Sequence, residues 1–321
     1  MSRLFSVACL LFIALSLNAA AQTQPQPQLR VLTSIKPLQL IAAAVQDGLG
    51  EPEVLLPPGA SPHHYALRPS DVRSVRDADL LYWIGPDLES FLPRVLSGRA
   101  KTSVKVQDLP GMSLRHFADA HANEHADHDE EHDGHAEMAD QHDHNHRPGS
   151  LDAHLWLLPA NALVIARKMA ADLAVADPAN AARYQANVEA FASRLATLDQ
   201  RLKSRLQGLA DKPYFVFHEA YDYFEAAYGL KHAGVFSVLG EVQPGAKHVA
   251  AMRERLQHAG PTCVFSEPPL LPRLAKTLTA GLPVTLAEMD AMGGSLPVNA
   301  KGYEALLDNL AGELAGCLEA L

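Results

Sequence analysis

The usual sequence signs of catalysis are missing. There is no G-x-S-x-G, no Walker loop and no dinucleotide fingerprint, which leaves α/β-hydrolase, P-loop and Rossmann chemistry without a starting point. A zinc hydrolase of the H-E-x-x-H type is also disfavoured. His218-Glu219 begins that pattern, but the position four after His218 is Asp222. No enzyme is expected. Aromatic residues are only 6% of the chain and charge is balanced outside one segment, so nothing points to nucleic acid. The three cysteines form no C-x-x-C, which disfavours a thiolate metal site. Beyond the N-terminus, no apolar run approaches the length of a membrane span.

One absence is local. Between His116 and His146 there is no Lys or Arg, while the same stretch holds nine His and ten Asp or Glu. Of 37 acids in the chain, those ten account for the whole net charge of −10 against 27 Lys and Arg. Imidazole is mostly neutral above pH ~6.5 and binds Zn²⁺ and its neighbours well. A low-complexity solvated loop would not normally select His, so the run reads as a weak, multivalent metal attractor. Its candidate ligands are His121, His125, His128, His132, His135, His142, His144 and His146. The first five are spaced four, three, four, three, which would align them on one helix face. Gly134 and several Asp oppose a free helix, so ordering there would have to come from the metal.

The N-terminus reads as a cleaved export signal over 1–21. Arg3 supplies the positive end, Val7–Leu17 the apolar stretch and Ala19-Ala20-Ala21 the cleavage site. A flexible Gln/Pro spacer covers 22–28. A periplasmic location is expected. Cys9 falls within the signal, so Cys263 and Cys317 would remain, an even pair suggesting a disulfide in an exported chain. It would close a loop of 54 residues, worth roughly 4 kcal/mol in the chain-entropy description.

Strand and helix patterns alternate from Leu29 to about Leu109, and again from Tyr214 to the C-terminus. Short, fully apolar strands between helices argue for parallel sheets covered on both faces. Between the halves, a helix opening at Asp177-Pro178 carries a stripe of Tyr184, Val188, Phe191, Leu195, Leu198 and Leu202. Its alternating spacing of four and three predicts about 30 residues of helix, ~45 Å long. Too few heptads repeat for a coiled-coil dimer, so a monomer is expected. The expected architecture is α/β: two parallel-sheet lobes joined by a long rigid backbone helix, with a metal site in the cleft. The N-terminal lobe would span 29–158 with 116–146 as an inserted loop, the helical linker 159–210 and the C-terminal lobe 211–321.

Outside the run, His63 follows the second strand, His218 ends the strand Tyr214–Phe217, and His154 lies in Asp152-Ala153-His154-Leu155-Trp156. In open parallel sheets, ligands sit outside the carboxyl ends of strands. Each His alone reads as structural, but together they suggest a metal site. Asp290 follows the last strand beside Gly293-Gly294 and is the best carboxylate candidate. Three His and one Asp make a tetrahedral set suited to Zn²⁺. Glu267, at another strand end, could orient a His or simply cap a turn. His248 and His258 look exposed, and His232 carries no signal.

These motifs resemble the periplasmic zinc-binding proteins of high-affinity zinc uptake ABC transporters, within the metal-binding cluster of solute-binding proteins. The resemblance rests on Gly59-Ala60-Ser61-Pro62-His63-His64-Tyr65 with Leu67-Arg68-Pro69-Ser70-Asp71, Gly85-Pro86, Asp152-Ala153-His154-Leu155-Trp156, Phe215-Val216-Phe217-His218, Phe265-Ser266-Glu267-Pro268 and the Cys263/Cys317 pair. It covers nearly the whole mature chain. It implies His63, His154 and His218 as ligands, Zn²⁺ as the ion, and an inner-membrane permease with its ATPase as partner. Some members place an acid just before the first His. Here Pro62 stands there, which turns attention to Asp290 or a water as the fourth group. Manganese-specific relatives tend to place an acid where this chain has His218. A periplasmic zinc buffer is the other reading that the same ligands would serve.

Overall fold

The computed structural model describes residues 29–117, 149–237, 246–268 and 273–321. The expected signal, the spacer and the eight candidate His from His121 to His146 lie outside those residues. Among the described residues, no helix is long and apolar enough to cross a membrane.

The first sheet is built from β1 (Val31–Thr33), β2 (Glu53–Val54), β3 (Leu80–Trp83) and β4 (Thr102–Lys105), with α1 (Lys36–Val45), α2 (Pro69–Asp77) and α3 (Pro93–Leu96) between them. Its order is β2-β1-β3-β4, all pairings parallel. Strands β1 and β3 are fully buried, as expected of central parallel strands. Helix α2 opens on a proline. Pro69 takes the first helical position, Arg68 becomes the cap, and Asp71 reaches back to accept the Arg68 backbone N–H at 2.8 Å.

Two long helices follow, α4 (Pro159–Ala176) and α5 (Ala181–Leu206), separated by a short 3₁₀ turn at Pro178–Asn180. The stripe along α5 is buried as its spacing predicts: Tyr184, Val188, Phe191, Leu195, Leu198, Leu202 and Leu206 are each no more than 4% exposed. This long helix joins the two lobes. It packs against α4, α1 and α9.

The second sheet comprises β5 (Tyr214–His218), β6 (Gly234–Ser237), β7 (Thr262–Ser266) and β8 (Val284–Glu288), with α6 (Asp222–Tyr228), α7 (Ala246–Ala259) and α8 (Arg273–Thr279) as crossovers, and α9 (Gly302–Glu319) closing the chain. The order β6-β5-β7-β8 repeats the first sheet's arrangement. Side chains of β5 alternate between two cores, as a pleated strand requires. Tyr214 and Val216 enter the main core; Phe215 and Phe217 enter a second one with Phe236, Met252 and Leu256. The main core runs unbroken from β1 through α4 and α5 to α9. A disulfide joins Cys263 in β7 to Cys317 in α9, with Cα atoms 6.2 Å apart.

Candidate metal centre

Three segments far apart in sequence deliver one imidazole each. His63 comes from the loop after β2. His154 begins the turn leading into α4. His218 is the last residue of β5. Their ring centroids are 5.5 Å apart for His63 and His154, 5.3 Å for His63 and His218, and 4.9 Å for His154 and His218. One ring nitrogen of each falls within 4.8 Å of the other two. His63 is 9% exposed and His154 2%. The His218 side chain is 11% exposed.

Two carboxylates, the buried Asp152 and the partly exposed Glu267, orient two of the rings. Oδ1 of Asp152 accepts the His154 backbone N–H at 3.0 Å and lies 2.8 Å from Nδ1 of the same residue. That oxygen is already an acceptor, so Nδ1–H donates to it and Nε2 is the nitrogen that would be offered to an ion. Across the site, Nδ1 of His218 lies 3.2 Å from both oxygens of Glu267. Glu267 is held in turn by Tyr221, whose hydroxyl donates to Met289 O at 2.6 Å and approaches Glu267 Oε1 at 3.3 Å.

The two imidazoles differ electrostatically. Burial, reinforced by the charge on His218, drives the His154 pKa well below its ordinary value, so this ring is neutral and ready to ligate. Burial also acts to lower His218, but the charge and hydrogen bond of Glu267 outweigh it and the net shift is upward. Glu267 moves the opposite way: burial would raise it, and its attraction to His218 brings it below the ordinary range. The Asp152 carboxyl is pushed up to about 7 by burial.

The His154 segment is pinned from the C-terminal lobe. Tyr223 donates its hydroxyl to Asp152 O at 3.0 Å, Trp156 Nε1 donates to Ala291 O at 2.9 Å, and Tyr303 donates to Trp156 O at 2.6 Å.

Asp290 is not among the residues whose ligand atoms converge. Its Oδ1 accepts the backbone N–H of Met292 and Gly293 at 2.9 and 2.8 Å, and its Oδ2 that of Gly294 at 2.7 Å. Gly293 has φ +63°, a left-handed conformation that this turn requires. Asp290 therefore closes its own turn, while Glu267 makes the contact with the cluster. Asp152, two residues before His154, received no role from the sequence. Its i, i+2 position beside a candidate ligand was the available signal. His258 is exposed, as expected. His232, which carried no signal, sits 2.9 Å from Glu225.

Two parallel-sheet lobes, a long helix joining them and a buried tri-histidine cluster define a metal-binding solute-binding protein. The chain belongs to the family of periplasmic zinc-uptake components: the profile described as "ZnuA: Zinc-uptake complex component A periplasmic" matches residues 31–317. It is 37% identical over 291 residues to the high-affinity zinc uptake system protein ZnuA of Yersinia pestis, covering 90% of this chain and 91% of that protein. Identity to the corresponding Brucella abortus protein is 36% over 304 residues, with the same coverage. Among solved structures, a crystal structure of ZnuA aligns with TM-score 0.73 at 22% identity, over 91% of this chain and 99% of that one. The solute-binding protein FpvC of Pseudomonas aeruginosa, in complex with Ni²⁺, aligns with TM-score 0.69 at 20% identity, over 92% and 97%. At such identities the structures establish the fold alone.

Proposed function

We propose that this chain is the zinc-capturing component of an ABC importer, exported to the periplasm, where it binds one Zn²⁺ tightly and passes it to an inner-membrane permease driven by an ATPase. The observation that carries this reading is the convergence of His63, His154 and His218, from three separate segments, on a volume one ion could fill. Three neutral imidazoles suit Zn²⁺ and match its tetrahedral preference once a fourth group is added. The fourth group is a water or Asp290, whose oxygens are otherwise engaged by the backbone of its own turn. Nitrogen at position 218, where an acid would suit manganese, favours zinc. In this reading the run from His116 to His146 gathers ions weakly and yields them quickly.

The unbroken core through α4, α5 and α9 supports a receptor whose lobes move little on loading. A large change in radius of gyration between apo and loaded protein would contradict that. A periplasmic buffer would use the same ligands and differs only in its partner. Two measurements decide. Calorimetric titration with Zn²⁺ should show one tight site that His218→Ala weakens by orders of magnitude. A deletion strain starved of zinc should be rescued by the wild-type chain and not by that variant; rescue by both defeats the uptake reading.

A further inference from the structure

We infer that the C-terminal lobe carries a second divalent-cation site at Asp222, Glu225 and His232, separate from the tri-histidine cluster. One oxygen from each acid and one ring nitrogen of His232 lie within 4.8 Å of one another. Asp222 and Glu225 are three residues apart on α6 and so share a face. His232 is brought back to that face by the left-handed turn at Gly229, φ +69°. Glu225 is 4% exposed, and the His232 side chain 12%, so the ligands are largely withdrawn from water.

The charge balance at this place favours a cation. Glu225 is well partnered: it accepts the Tyr214 hydroxyl at 2.6 Å and the His232 backbone N–H at 3.2 Å, and lies 2.9 Å from His232 Nδ1. Asp222 is not. Its side chain makes no hydrogen bond or ion pair among the described residues, yet burial and the neighbouring charges of Glu225 and Asp152 push its carboxyl up to about 6. Asp152 is fully buried, and its Oδ2 has no hydrogen-bond partner. Glu219 also repels Asp222 electrostatically. The cationic groups acting on these four acids are Arg115, His232 and, on Asp152 and Glu219, His218. A dication would relieve that repulsion directly, and an imidazole in the set selects Zn²⁺, Co²⁺ or Ni²⁺ over Mg²⁺ and Ca²⁺.

The competing occupant is the proton on His232, which burial disfavours but Glu225 stabilises enough to raise its pKa overall. A metal must displace it, as at His218, and this set offers one imidazole where the cluster offers three, which makes it the weaker of the two sites and the later to fill. Its position, one short helix away from His218, makes its occupancy separable from that of the cluster by residue-level measurement.

The test is nuclear magnetic resonance of ring-labelled histidines in the full chain, titrated with Zn²⁺. The first equivalent should move the ring signals of His63, His154 and His218. Further Zn²⁺ should move those of His232. In Asp222→Asn, which loses no hydrogen bond, the His232 shift should need roughly tenfold more Zn²⁺ or greater, as loss of a direct ligand should cost no less than loss of an outer partner. His232 signals that stay fixed in the wild type under excess Zn²⁺, or that move identically in Asp222→Asn, overturn the site. The wild-type arm decides even if the variant folds poorly, and failure of the tri-histidine cluster would be read from different signals.

Discussion

Glu267 faces His218 across the carboxyl ends of two adjacent parallel strands, with both carboxylate oxygens 3.2 Å from Nδ1 of the imidazole. The carboxylate fixes the ring's tautomer and makes its other nitrogen a stronger donor. Glu267→Gln preserves the shape and removes the charge. Zn²⁺ affinity should fall about 10- to 100-fold, in line with other outer partners of metal-ligating histidines. The loss should also depend on pH. Without the carboxylate, the largest opposition to burial at His218 is lost and its pKa falls, so protons compete less in the variant. The wild-type advantage should shrink as the solution is acidified. Calorimetry at several pH values checks this, and equal affinities throughout would remove Glu267 from the site.

Acid should release the ion. His154 is held neutral by burial far into the acidic range, so it presents little proton competition. His218 is raised by Glu267, so its proton is the main competitor. A group with a raised pKa is already partly protonated near neutrality and becomes fully so as pH falls. Apparent Zn²⁺ affinity should therefore decline between about pH 7 and 5, by roughly tenfold per unit if one proton is displaced. An affinity that stays flat over that range rules out imidazole ligation.

The features legible in the sequence were those set by strong periodicity or by strand ends. The stripe on α5 was visible because a four-three alternation has no other economical explanation, and β5 and β7 were visible as short apolar runs. Strand β4 is not legible because it is an edge strand: Thr102 and Ser103 are exposed and only Val104 is buried, so its composition reads as loop. The position of His218 followed from the rule that strand ends face the crevice, and Glu267 from the same rule applied to the next strand. Asp152 could not be assigned, since its role depends on how a turn folds back on its own His154. Asp290 shows the opposite difficulty. It stands just past the end of β8, as a ligand would, but Met292, Gly293 and Gly294 after it offer three backbone N–H groups that take up both its oxygens.

Asp290 can be tested by separating stability from affinity. Asp290→Ala strands three N–H donors in a partly buried turn, and a buried donor left unsatisfied costs about 1–3 kcal/mol. The expected outcome is a lower melting temperature with Zn²⁺ affinity reduced far less than in His218→Ala. If instead affinity falls as much as in the histidine variant while the apoprotein melts normally, Asp290 is a ligand and its turn rearranges on loading.

The Cys263–Cys317 bond ties β7 to α9 across a separation of 54 residues. Both sulfurs are buried, with Cys263 fully so and Cys317 7% exposed. Cross-linking so long a loop restricts the unfolded chain by roughly 4 kcal/mol. Replacing both residues with Ala should therefore lower the melting temperature by on the order of 10 °C, measured without metal to avoid stabilisation by the ligand. Glu267 lies just beyond β7, but its hold on His218 is set by β5–β7 pairing and by Tyr221 rather than by the sulfur bridge. Zn²⁺ affinity in the folded double variant should accordingly remain close to wild type. A large loss of affinity at temperatures where the variant is fully folded would mean that α9, through this bond, holds the C-terminal half of the site in register.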